Sequence, residues 1–224
     1  MIDPLCRILT EVLAERGAPI AVALDGPSGA GKSTIAEAIR AVLPVALLPS
    51  DDFFAAQLTR AEWDARTPME RARDAIDWVR LRDYALAPLR AGQRATWHSF
   101  DFTAGEQADG SYRMASAVEQ REPAAVIVVD GAYSSRPELA KLLDLTVLVD
   151  TPEVVRRARL EAREAAAFLQ AWHERWDAAE LYYFTDVRPP ESFDVIVEPL
   201  SAAVRELRER RLERSRAALL PNER

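Results

Sequence analysis

The sequence has little that would support sulfur, imidazole or membrane chemistry. Of its 224 residues one is cysteine, Cys6, and two are histidine, His98 and His173. An internal disulfide is therefore excluded, and the histidines lie too far apart in the chain for a zinc-site spacing. No apolar run approaches the about 20 residues that span a bilayer. The opening MIDPLCRILTEVLAERG lacks the basic-then-apolar order of a secretory leader. A basic excess is missing as well: 29 Lys and Arg stand against 36 Asp and Glu, a formal charge of -7. That balance argues against general attraction to nucleic acid phosphates. These absences lead to the expectation of a reducing, cytoplasmic protein with no membrane or nucleic-acid partner. They leave open whether copies of the chain associate into a homo-oligomer.

What is present is a hydrophobic content of 49%, enough for a substantial core. Short apolar runs alternate with segments of helical period. Asp3-Pro4 opens a helix that should stop at Gly17, followed by strand IAVALD (20–25) and helix STIAEAIRAVL (33–43). Further strands are expected at 45–48, 124–130, 145–150 and 193–198. Helices are expected across 60–91, after Arg136-Pro137, and over 152–167 and 170–183. Strands separated by helices predict a three-layer α/β domain with a parallel sheet covered on both faces. QRATWHSFDF (93–102) alternates like a strand and Asp109-Gly110 is a hairpin signal, so 93–114 reads as a small β insertion. The whole of 1–224 is expected to form one domain, with a charged helix over 201–224.

The segment GPSGAGKST (26–34) carries the chemistry. A glycine, four residues, then Gly-Lys-Ser between a strand and a helix is the P-loop pattern. Gly26, Ser28, Gly29, Ala30, Gly31 and Thr34 would turn backbone N–H groups around nucleotide phosphates. Lys32 would neutralise the β and γ phosphates, and Ser33 would ligate Mg²⁺. ATP with Mg²⁺ is the expected donor. VIVVDG (126–131) ends an apolar strand in Asp130, a second candidate for holding the metal through water.

The acceptor half is less local. Asp51 and Asp52 follow the second strand, whose C-terminal end in a doubly wound sheet faces the same crevice as the P-loop. A carboxylate there could take the proton of an attacking hydroxyl; equally, an aspartate there could cap the next helix. Arg156, Arg159 and Arg163 recur at helical spacing and share one face, able to clamp a transferring phosphoryl group or to form a solvated face with Glu161 and Glu164. Phe54, Trp97, Phe100, Phe102 and Tyr133 could form an aromatic acceptor pocket or, in part, core.

GPSGAGKST together with DDFF after the second strand resembles the uridine kinase and phosphoribulokinase group, including nicotinamide riboside kinases. The resemblance spans roughly 20–198. It implies that Asp51 is the catalytic base. RDAIDW (73–78) is similar to the DAFD segment of uridine kinases and SFDF (99–102) to their YDF, which places Asp74 and Phe100 at the acceptor site. VDTPEVVRRARLEARE resembles their strand and arginine-rich lid, expected here over 156–176. Arg159 and Arg163 then act in catalysis and Arg156 on the nucleotide. AWHERWDAAELYYF (171–184) is similar to a signature of a bacterial uridine kinase-like branch, which makes Arg175 and Glu180 lid or acceptor contacts and leaves Trp172, Trp176 and Tyr183 readable as core. Arg188 sits where related kinases approach the base. The likeness departs at Arg71, at Ala104-Gly105-Glu106 and at Phe100, positions where uridine kinases carry polar groups that recognise a nucleoside.

The sequence therefore predicts ATP-dependent phosphorylation of a small-molecule hydroxyl, with nucleosides the leading acceptor class. The alternatives are a nucleoside monophosphate kinase and a nucleotide-binding ATPase or regulatory module that uses no acceptor. Lys32→Ala is expected to weaken ATP binding by at least about tenfold, read by titration calorimetry.

Overall fold

The computed structural model describes residues 2–163 and 166–199. Five parallel strands form the main sheet: β1 (Ile20–Asp25), β2 (Val45–Pro49), β5 (Val126–Asp130), β6 (Leu145–Val149) and β7 (Val195–Val197), in the order β2-β5-β1-β6-β7. Central strands β1 and β5 are buried along their whole length, as continuous apolar runs in a sheet covered on both faces must be. Alternate residues feed two cores. Ile20, Val22 and Leu24 pack with Leu5 and Leu9 of α1 (Ile2–Arg16) and Ile35 and Ile39 of α2 (Lys32–Arg40). On the other face Ala21, Leu48, Ile127 and Val129 pack with Phe53, Leu86 and Leu89.

Helix α1 ends at Gly17, in the left-handed conformation with φ 78°, as its position predicts. The helical region over 60–91 is broken into α3 (Arg60–Ala65), α4 (Pro68–Asp74), α5 (Trp78–Leu81), a π-helical turn (Arg82–Leu86) and α6 (Ala87–Arg90). Two capping boxes set the first breaks. Thr59 and Glu62, then Thr67 and Glu70, exchange side-chain and backbone hydrogen bonds, and Pro68 at the start of α4 cannot continue α3. The segment after Arg136 is a 3₁₀ turn (Pro137–Leu142) rather than an α-helix.

The β insertion is larger than 93–114. β3 (Ala95–Phe100) pairs antiparallel with β4 (Met114–Arg121), so the return strand begins where the insertion was expected to end. Asp109-Gly110 is not the hairpin's own turn. It lies in a loop held by short-range bonds: Asp109 accepts from Ser111 N and Oγ, and Asp101 from Thr103 and Ala104. Two further helices complete the description, α7 (Glu153–Arg163) and α8 (Ala166–Tyr182), the latter packed on α4. The expected helix over 201–224 lies outside the described residues. Among the described residues no helix is long and apolar enough to cross a membrane.

The loops after β1, β2 and β5 meet at the carboxyl edge of the sheet, and one buried side chain joins the first to the third. Asp25, fully buried at the end of β1, accepts hydrogen bonds from Gly26 N and Tyr133 N through Oδ1 and from Ser135 N, Ser135 Oγ and Tyr183 Oη through Oδ2. Tyr133 has φ 67°, an unusual conformation for a bulky residue, and the bond from its N–H to Asp25 holds it there. Close packing adds to the constraint, since a Cβ on Gly131 would lie 1.8 Å from Ser50 Oγ. Asp25→Ala would strand these donors in the interior, at about 1–3 kcal/mol for each left unpaired. It is expected to destabilise the fold by more than about 3 kcal/mol, measured by urea unfolding.

Candidate active site

The P-loop wraps the N-terminus of α2, and its carbonyls are held from outside. Arg156 Nη1 donates to Ser28 O (3.1 Å), Arg159 Nη1 to Gly29 O (3.1 Å) and Ala30 O (2.9 Å), and Thr151 Oγ1 to Ala30 O (2.8 Å). The loop packs so closely on α7 that a Cβ at Gly29, where φ is 77°, would stand 2.7 Å from Arg156 O. The N–H groups of Gly26, Ser28 and Ala30 are taken by Asp25, Glu180 and Pro27 O, so it is the start of α2 that is left to an anion. Lys32 Nζ meanwhile donates to Gly26 O (2.7 Å) and Pro27 O (3.1 Å). The cleft beside the loop has a volume of about 320 Å³, and Lys32, Ser33, Asp51, Asp130, Arg159 and Arg163 are among its lining residues.

Ser33 and Asp130 form a fitting pair for Mg²⁺. Their side chains line the same cleft, and Asp130 Oδ1 is buried without a hydrogen-bond partner among the described residues. Burial raises the Asp130 carboxyl above its ordinary value, opposed by Ser33 and Lys32. A hard cation answers both the unused oxygen and the cost of burying that charge.

The two aspartates after β2 divide into distinct roles. Both lie in a 3₁₀ turn, Ser50–Phe53. Asp52 turns toward the β insertion and accepts a hydrogen bond from Trp97 Nε1 at 2.9 Å. Asp51 opens into the phosphate cleft and also into a second cleft of about 300 Å³. Protein crowded around it raises its carboxyl, against the pull of Lys32 and Arg163.

That second cleft is mostly apolar. Phe54 is at its centre, 5.5 Å from the ring of Trp63, 5.0 Å from Phe100 and 5.5 Å from Trp176. Phe102 and Tyr112 continue the wall from the hairpin, and Tyr133, Arg175 and Glu180 also line it. Arg175 donates to Asp64 Oδ1 through Nε and Nη2. Glu180 accepts from Ser28 N and from Ser28 Oγ, the latter at 2.6 Å, which ties α8 to the P-loop.

The structure thus brings together Ser28, Gly29, Gly31, Lys32, Ser33, Thr34, Asp51, Asp130, Arg159 and Arg163 at one cleft, and Asp51, Phe54, Phe100, Tyr133, Arg175 and Glu180 at the other, while Gly26 and the buried Ala30 line neither. It does not bring Asp74 there. That carboxylate is paired with Arg66 and Arg73 outside the cleft, and the next residues, Ala75 and Ile76, line it instead. Arg188 is anchored to Thr146 Oγ1 and Ser192 O and lies over the Phe193 ring, and neither cleft includes it. Arg156 braces the outside of the loop rather than lining the phosphate cleft. Trp97 is core, 5.5 Å from Phe53. Of the 156–176 lid, residues 164 and 165 lie outside the described residues.

Sequence reasoning missed Asp25, Trp63 and Tyr112, and left Trp176 and Tyr183 readable as core. An acid ending the apolar strand IAVALD, directly before a glycine loop, was a usable signal for Asp25. Nothing local marks Trp63.

A P-loop with a metal-fitting Ser-Asp pair at the carboxyl edge of a parallel sheet defines a member of the P-loop NTPase and kinase superfamily. Residues 22–184 match the family model described as an AAA domain, and the chain belongs to that family. A uridine kinase of Latilactobacillus sakei is 27% identical over 190 residues, covering 83% of each chain. A uridine kinase of Streptococcus mutans is 24% identical over 192 residues, covering 82% of this chain and 88% of the other. In fold the chain is similar to a protein of Bacillus stearothermophilus described as a possible uridine kinase, with TM-score 0.64, 20% identity and coverage of 87% and 96%.

Burial raises the Glu180 carboxyl above its ordinary 4.5, while Ser28 and Lys32 pull it down. Ionising Glu180 therefore costs folding free energy. Its contribution to stability is fullest below pH 4.5 and falls as pH rises through the raised value. In Glu180→Gln that titration is absent. Urea unfolding from about pH 4 to about pH 8 is expected to show the variant gaining on the parent protein as pH rises.

Proposed function

We propose that the chain is an ATP-dependent kinase that transfers the γ-phosphoryl group to a hydroxyl of a small molecule. The observation that carries this reading is the position of Asp51, on the border of the phosphate cleft and the aromatic cleft. A hydroxyl entering from the aromatic side meets the carboxylate where a phosphate on the P-loop ends. Asp51 orients that hydroxyl and accepts its proton as the phosphorus–oxygen bond forms. Lys32 exchanges the carbonyls of Gly26 and Pro27 for phosphate oxygens. Arg159 and Arg163 face the same cleft and stabilise charge that spreads over the transferring group. Ser33 and Asp130 would hold Mg²⁺, which when bound neutralises charge on the phosphates.

Uridine kinases among the relatives make nucleosides the reference acceptors. A nucleoside monophosphate is less well served, because the cleft's Arg175 is already engaged by Asp64. The test is ADP release with Mg-ATP across a panel of small alcohols. Asp51→Asn is expected to lower kcat by at least about tenfold while ATP binding stays within about twofold, since general-base help is typically worth 10²–10⁴. Normal turnover in that variant would remove Asp51 from the mechanism, and ATP hydrolysis indifferent to every acceptor would favour a plain ATPase.

A further inference from the structure

The Trp97 indole N–H donates to Asp52 and the Tyr183 hydroxyl to Asp25, as buried donors that serve a fold must. Two donors on residues lining the aromatic cleft are different. Trp63 Nε1 and Tyr133 Oη are buried without a hydrogen-bond partner among the described residues, on side chains only 1% and 5% exposed.

Tyr133 is the sharper case. Its ring meets that of Tyr183 edge-on at 4.8 Å, yet only Tyr183 reaches a carboxylate. Asp25 is filled by other donors, and Glu180 is held by Ser28. Burial, together with the charges of Glu180, Asp25 and Asp51, lifts the Tyr133 pKa well above its ordinary value, so the hydroxyl keeps its proton and remains a donor. A phenylalanine would fill the same space with no unpaired oxygen to bury. Fold stability therefore gives no reason for that oxygen, in a residue already held at φ 67°. Gly131 and Ala132 line the phosphate cleft, but Tyr133 lines only the aromatic one, with Asp51. Its donor belongs to the acceptor's side of Asp51 rather than the nucleotide's.

We infer that Tyr133 is a specificity-determining residue: the acceptor carries a second oxygen besides the hydroxyl that reacts at Asp51, and the Tyr133 hydroxyl donates to that oxygen. This deepens the kinase reading and rests on it for the reacting hydroxyl. Because Oη is covered by protein, seating the second oxygen moves a side chain of the cleft wall aside.

The experiment compares the full chain with Tyr133→Phe, which removes one oxygen and no hydrogen bond. Urea unfolding comes first: the variant's midpoint is expected at or above the parent's. A lower midpoint would show that the hydroxyl serves the fold, and would overturn the inference. ADP release with Mg-ATP is then measured on acceptors matched but for one oxygen: uridine with 2′-deoxyuridine and 3′-deoxyuridine, ribose with 2-deoxyribose, and 1-phenyl-1,2-ethanediol with 2-phenylethanol. The parent is expected to prefer the oxygen-bearing member of at least one pair by at least about tenfold in kcat/KM, and Tyr133→Phe to narrow that preference to about threefold or less. The KM for ATP is expected to stay within about twofold. A preference that survives in the variant, or a parent that phosphorylates both members of every pair alike, would overturn the inference and leave the kinase reading intact. A parent whose ATP turnover ignores every acceptor would remove the kinase reading, and this inference with it.

Discussion

The arrangement of both clefts depends on one buried carboxylate. Asp25 gathers the first P-loop amide, two loop residues after β5 and a tyrosine from the end of α8. A buried charge is tolerated only when its oxygens are satisfied, and here the satisfaction itself joins three distant parts of the chain. The phosphate cradle, the strained Tyr133 and the inner end of α8 are thus set by the same few hydrogen bonds. Glu180 makes a second tie between α8 and the loop at Ser28, so the helix that walls the aromatic cleft also steadies the P-loop.

Adjacent residues in that frame do opposite work. Asp51 and Asp52 are neighbours in one turn. The turn sends the first toward open cleft and the second to an indole N–H in the β insertion. Arg156 and Arg159, one helical turn apart, both grip loop carbonyls, yet Arg159 also borders the phosphate cleft. Carbonyl bracing and phosphate contact are linked tasks, because the first orients the peptides whose N–H groups perform the second.

Features encoded by neighbouring residues were legible in the sequence. The P-loop, the apolar strands, the stop at Gly17 and Asp130 at the end of β5 each depend on a few adjacent positions and on simple periodicity. What failed to read out depends on how the folded chain surrounds a residue rather than on sequence spacing. Asp74 looked like an acceptor-site acid until Arg66 and Arg73 were seen around it. Arg188 has its partners at Thr146 and Ser192. Trp63 joins the aromatic cleft because α3, a helix of six residues between capping boxes, turns it onto Trp176 of α8. The β insertion was recognised but cut short, since a loop stabilised by its own aspartates resembles a tight turn.

The ties from α8 also have a temporal side. Glu180 reaches Ser28 across 152 positions and Tyr183 reaches Asp25 across 158. A chain emerging from its N-terminus exposes the glycine loop long before either partner exists. Contacts of such sequence separation form late and slow the approach to the native state. The growing polypeptide therefore carries a phosphate loop with neither its acidic tether nor the wall of the neighbouring cleft. The wall of the aromatic cleft and the tether on the P-loop therefore arrive together, with one late element of the chain.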